Sequence, residues 1–399
     1  MKKKLIAILM ATAMVATIFA GCSKSDSDKA SSGEDTEYSV AMITDSGDIT
    51  DQSFNQSTYE ASKEFCEANG LKFQYFKPSE DTTSARDASV EEAIDNGFNV
   101  IVMPGYLFAG TIVDLAETYS DVKFIALDCS KGDLLEAALG DKYDYTPDNW
   151  DLEESGVYMD NVYCVTYQEE LSGYLAGYAA VKLGYTKLGF MGGMSVPAVE
   201  RYGYGFLQGA DAAAAETGAA VDVQYAYGGT FGAGNQQVIS ACDTMYAGGT
   251  EVIFACGGSI FKDVCESAKN NGKKVIGVDS DQGPVIDAEY GEGMTVTSAM
   301  KGLAPTVKDT LDDCINNGNW AKYLGKIDCL GMVSGDDPSA NYVQLGESTQ
   351  FADGFTEDDY KALVASMFKG EVKVSNDITA MPKTDNITVK DLGTIITTD

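Results

Sequence analysis

The sequence predicts an α/β protein made of two open, parallel-sheet lobes. Three observations carry that expectation. Short apolar runs alternate with stretches of helical spacing from residue 38 onward. The alternation pauses over residues 131–160 and then restarts. The first helical stretches end on Gly70 and on Asn96-Gly97, as helices closed by a left-handed residue do. Strand–helix–strand units in succession place the strands parallel and the helices on the sheet faces.

The elements follow in order. Met1 is trailed by Lys2, Lys3 and Lys4, and residues 5–19 form an uncharged apolar core. That core is too short for a comfortable membrane span, so residues 1–21 read as a secretory signal. Ala20 and Gly21 put small side chains just before Cys22. This arrangement resembles the lipobox of bacterial lipoproteins, whose cysteine is acylated and becomes the new amino terminus. It implies a lipid-anchored protein on the extracytoplasmic face of the cell membrane. Residues 22–36 hold Ser, Asp, Lys, Gly and Glu with almost nothing apolar, which suits a flexible tether.

The first lobe is expected over 37–165, with strands at 38–43, 72–76, 99–103 and 122–127 and helices at 55–69, 84–97 and 112–119. Residues 131–160 are acidic and aromatic, without a clear period, and read as an insertion that lies over the cleft, touches the transporter or, the favoured reading, decorates the surface. The second lobe is expected over 166–298. Its helices are at 169–183, 202–217, 233–247 and 261–271, and its strands at 187–191, 221–227, 252–255, 274–278 and 294–298. Residues 299–399 supply a helix over 301–316 and a mixed tail that completes the lobes.

Composition narrows the function. Sixty-one acids face 28 bases in 399 residues, a formal net charge of −33 that repels phosphate backbones and excludes a nucleic-acid partner. The chain has no histidine, which removes the usual general base, the common nucleophile arrangements and the commonest zinc ligand. None of the nine cysteines forms a CxxC pair, and most lie in apolar runs such as 252–256. A non-enzymatic protein without metal or cofactor is expected.

In open parallel sheets, ligands sit at the carboxyl ends of the strands. Asp45 follows the first strand, and Phe54 and Asn55 open the first helix; a carboxylate, a ring and an amide can together bond and stack on a small molecule. The stretch Val40-Ala-Met-Ile-Thr-Asp-Ser-Gly, followed by Asp51-Gln-Ser-Phe-Asn-Gln, resembles the opening motif of the basic membrane protein family. So do Gly173-Tyr-Leu-Ala-Gly, Tyr202-Gly-Tyr-Gly-Phe, Val275-Ile-Gly-Val-Asp and Thr297-Ser-Ala-Met-Lys. That family comprises substrate-binding lipoproteins of ABC transporters and includes purine-nucleoside receptors.

The resemblance implies a type I periplasmic-binding-protein fold, two doubly wound parallel-sheet lobes joined by a hinge. It implies partners too: a small molecule, with a purine nucleoside favoured, and the transporter's permease subunits. A monomer is expected. Carried over residue by residue, Phe54 and Phe231 would sandwich the base. Asp45, Asn55, Asp128, Asp279 and Lys301 would hold base edge and ribose, and Gly257 would let the ligand approach the backbone. A sugar in the same cleft is the main alternative. A hydrolase using Asp45, Asp48 and Asp51 around calcium lacks the spacing of a calcium loop, and a surface adhesin would need no cleft.

Overall fold

The computed structural model describes residues 37–397. The chain there runs β1 (Ser39–Ile43), α1 (Phe54–Asn69), β2 (Lys72–Phe76), α2 (Thr83–Asp95), β3 (Val100–Pro104), α3 (Phe108–Leu115), β4 (Lys123–Leu127), α4 (Lys131–Leu139) and β5 (Val162–Tyr167). It continues through α5 (Glu169–Lys182), β6 (Lys187–Gly192), α6 (Pro197–Thr217), β7 (Val221–Tyr227), α7 (Gln236–Ala247), β8 (Val252–Cys256), α8 (Phe261–Asn271), β9 (Lys274–Asp279), α9 (Gly283–Tyr290) and β10 (Thr295–Lys301). The last part holds α10 (Leu303–Leu311), β11 (Lys326–Leu330), β12 (Val343–Leu345), α11 (Glu357–Phe368) and β13 (Ile387–Thr394).

Two sheets result, a six-stranded one in the order β11-β5-β4-β3-β1-β2 and a seven-stranded one in the order β12-β10-β9-β8-β6-β7-β13. All recorded pairings are parallel except the antiparallel edge pair β10–β12. β1, β3 and β8 are buried along their whole length, as strands covered by helices on both faces must be. Gly70 is the left-handed C-cap of α1. The chain passes from the first sheet to the second between β5 and α5, and α10, which follows β10, packs back against α1 of the first lobe.

Four expectations are corrected. The segment 131–160 is not mere decoration: it opens with α4, whose start is capped by a Ser130–Asp133 capping box, and Leu134, Leu135, Tyr143 and Val157 are buried. Its short helix is followed by irregular chain, so no period survives averaging. The sequence does not mark the strand β5, because it follows this segment directly. Nor does it mark the helix α9, which Gly283-Pro284 and Gly291 confine to eight residues. Lys301 ends the strand β10 instead of opening a helix, and α10 stops at Leu311, followed by a π turn over Asp312–Asn316.

The eight described cysteines are free thiols, all buried but Cys329. Cys22 and its expected acylation lie outside the described residues.

Candidate functional site

The strand ends of both sheets face a cavity of about 350 Å3, within the range for small-molecule sites. All eight residues singled out from the sequence line it: Asp45, Phe54, Asn55, Asp128, Phe231, Gly257, Asp279 and Lys301.

The loop between β1 and α1 is built around carboxylates. Asp51 accepts the backbone N–H groups of Ser53, Asn55 and Gln56 at 2.9–3.0 Å, meeting donors that a helix start leaves unpaired. Asn55 donates from Nδ2 to Asp51 at 3.1 Å and to Asp45 Oδ1 at 3.0 Å, so one amide fixes both acids. Asp45 Oδ1 also accepts the backbone N–H groups of Ser46 and Gly47. Burial nevertheless pushes the Asp45 carboxyl above its ordinary range.

The aromatic pair comes from both lobes. Phe54 is the first residue of α1, and Phe231 lies in the loop after β7. Phe231 rests on glycine backbone: a Cβ on Gly257 would fall 2.9 Å from its ring, and one on Gly193 only 2.4 Å away. Gly257 also has φ +134°, a conformation that disfavours side chains.

At the base of the cavity Lys301 is buried among acids. Its ammonium donates to Asp128 and lies 3.7 Å from both Glu169 and Asp279. Burial alone would lower the lysine pKa, but Asp128, Asp279 and Glu169 outweigh it and hold the group protonated well above its ordinary range. Asp128 and Asp279 sit at strand ends with φ +58° and +64°, strained for residues with a Cβ. Lys301 Nζ also lies 4.6 Å from the centre of the Phe54 ring.

The lobes meet here directly. Ser53 Oγ donates to Asp279 at 2.6 Å, while Ser280 and Gln282 donate to the Gln52 carbonyl at 3.0 and 3.1 Å.

Several further residues that the sequence does not mark as site residues line the cavity. Ser130 and Asp133 come from the start of α4, Tyr106 follows β3, and Arg201 and Tyr202 belong to α6. Glu169 stands behind them, paired with Arg201 Nε at 2.6 Å. Glu169 follows the end of β5, where the strand-end rule places ligand residues. Six aspartates line the cavity against Lys77, Arg201 and Lys301, so the site repels anions. Apolar faces, neutral hydroxyls and N–H donors are what it can satisfy.

A family model described as "Bmp: ABC transporter substrate-binding protein PnrA-like" matches residues 38–335. The "ABC transporter nucleoside-binding protein BmpA" of Lactococcus lactis subsp. cremoris is 28% identical over 78% of this chain and 85% of that protein. A "CD4+ T-cell-stimulating antigen" of Listeria innocua is 27% identical over 77% of this chain and 83% of that one. Among solved structures, a solute-binding protein of an ABC transporter system from Conexibacter woesei superposes with a TM-score of 0.61 at 21% identity, over 85% of this chain and 99% of that one. One from Aeropyrum pernix gives 0.60 at 20% identity, covering 86% and 88%. The fold is thus the two-lobed type I fold of periplasmic solute-binding proteins. A ligand cavity between two parallel sheets and a matched model spanning most of the chain lead to one conclusion: this protein belongs to the Bmp family of PnrA-like ABC transporter substrate-binding proteins.

Proposed function

We propose that this protein captures purine nucleosides and delivers them to its transporter as a non-enzymatic, monomeric receptor. One observation carries the reading: two phenylalanines, one from each lobe, line a single cavity that ends in a lysine ringed by carboxylates. A purine offers two flat faces to Phe54 and Phe231. Its ribose offers hydroxyls to Asp128, Asp279 and Lys301, and Asp45 accepts from N–H groups of the base. The name of the Lactococcus lactis relative supports the same ligand class. The absence of histidine from the whole chain argues against hydrolysis of the bound nucleoside.

Calorimetry with inosine, guanosine, adenosine, guanine, GMP and ribose tests this reading. Nucleosides should bind best, free base and ribose weakly, and GMP poorly because its phosphate meets an acid-lined cavity. Phe54→Ala or Phe231→Ala removes one stacking face, about 1–3 kcal/mol, or one to two decades in affinity. Tight binding of ribose alone would favour a sugar receptor. No heat with any nucleoside would end the nucleoside reading.

A further inference from the structure

We propose that Tyr202 is a specificity residue whose hydroxyl hydrogen-bonds a ligand hydroxyl beside Lys301, so that ligands lacking this hydroxyl are rejected. The inference deepens the nucleoside reading and rests on it.

Tyr202 is 1% exposed and lines the cavity, yet its hydroxyl has no hydrogen-bond partner among the described residues. Buried polar groups are almost always paired, and an unpaired one destabilises the fold. The ring has little freedom to turn its hydroxyl elsewhere. It packs edge-on against Phe254, with centroids 6.0 Å apart at 86°, and its centroid lies 5.9 Å from Lys301 Nζ. Its backbone is held by the neighbouring helix: a Cβ on Gly173 of α5 would fall 2.1 Å from the Tyr202 carbonyl oxygen.

A second unpaired group stands in the same cavity. Asp128 binds Lys301 through Oδ2, while its Oδ1 has no partner among the described residues. Behind both, Arg201 holds Glu169, whose other carboxylate oxygen faces Lys301 at 3.7 Å. Three unpaired groups are thus buried around Lys301: Asp128 Oδ1 and Glu169 Oε1, which can only accept, and the Tyr202 phenol, which can do either; a ligand reaches them by displacing the side chains that cover them. An ammonium could donate to both Asp128 and Tyr202, but it would set a second cation beside Lys301. A ring nitrogen would serve Tyr202 and leave Asp128 unmet. A hydroxyl donates and accepts at one atom, and a vicinal pair of hydroxyls satisfies both groups. Burial keeps the Tyr202 phenol protonated, with Asp279 and Glu169 adding to the effect, so it remains a donor.

The test pairs Tyr202→Phe with ligands lacking one hydroxyl. Inosine, 2′-deoxyinosine and 3′-deoxyinosine are titrated into both proteins by calorimetry, and each protein is melted without ligand. Wild type should prefer inosine to at least one deoxy compound by roughly tenfold or more. Tyr202→Phe should lose roughly tenfold in inosine affinity, hold its affinity for that deoxy compound, and so lose the discrimination. Without ligand it should melt at or above the wild-type temperature, because the hydroxyl it lacks had no partner. A merely structural tyrosine would give a lower melting temperature and equal losses for all three compounds. Equal losses, or an unchanged inosine affinity, overturn the role of Tyr202 alone. Wild-type protein that binds none of the three overturns the nucleoside reading, and this inference with it.

Discussion

Glu170 shows how burial tunes a single group beside the site. It is 3% exposed, in the first turn of α5, and one of its carboxylate oxygens has no partner among the described residues. Burial pushes its pKa from 4.5 up to about 7; Glu169 adds to the rise, and Arg201 and a backbone N–H offset part of it. Between those values the folded protein keeps a proton that the unfolded chain has released. The stability Glu170 contributes is therefore complete below about 4.5 and is lost as the pH rises through about 7. Glu170→Gln, neutral at every pH, removes that loss. Chemical denaturation at pH 5, 6.5 and 8 should show the variant gaining on wild type as pH rises, by on the order of 3 kcal/mol at the upper end. Parallel profiles would mean that Glu170 is ionised normally in the folded state. The sequence marks Glu170 only as an acid near a helix start, since nothing local tells that both faces of α5 are covered.

At the scale of elements, the α5–α6 pair organises the cavity base. Glycines at 173 and 177 of α5 meet α6, and those at 205 and 209 of α6 meet α5. A Cβ at any of the four would fall 2.0–2.1 Å from a carbonyl oxygen of the opposite helix. This approach seats Arg201 and Tyr202 against Glu169. Gly177→Ala would push a methyl group into the Phe206 carbonyl and part the helices. We expect a loss of about 1–3 kcal/mol in denaturation, with weaker ligand binding because Tyr202 shifts with α6. Wild-type stability would show that the helices separate freely. The four-residue glycine spacing is visible in the sequence as a motif. Which helix it faces is not, because the strand β6 lies between the two helices in the chain and its place in the sheet decides how they return to one another.

At the scale of the whole molecule, the unusual acidity and the amino-terminal segment belong together. A net charge of −33 favours solubility over adhesion to anionic lipid, so attachment to the membrane needs a covalent device. We propose Cys22 as that device, with residues 23–36 spacing the binding lobes from the bilayer. Cys22→Ala should release the protein into the medium or leave it unprocessed. Membrane fractionation and intact mass report the outcome, and membrane-bound Cys22→Ala of normal mature size would refute the anchor.

The sequence by itself determined the layer architecture, most strands and the eight residues around the cavity. Buried parallel strands are continuous apolar runs, and ligand residues of such sheets follow strand ends, so both are written in local order. Asp45, Phe54 and Asn55 are legible for that reason, and Asp279 through the family resemblance. The tertiary structure alone decided the rest. Lys301 shares three carboxylates because β4, α5, β9 and β10 converge at one point, although Asp128 and Lys301 lie 173 residues apart. Asp133 reaches the cavity because an unperiodic segment folds a capped helix onto the first lobe. The Tyr202 hydroxyl lacks a hydrogen-bond partner among the described residues, where α6 is pressed against α5. Pairing and lack of pairing are properties of packed space, and a linear pattern carries the residues without their neighbours.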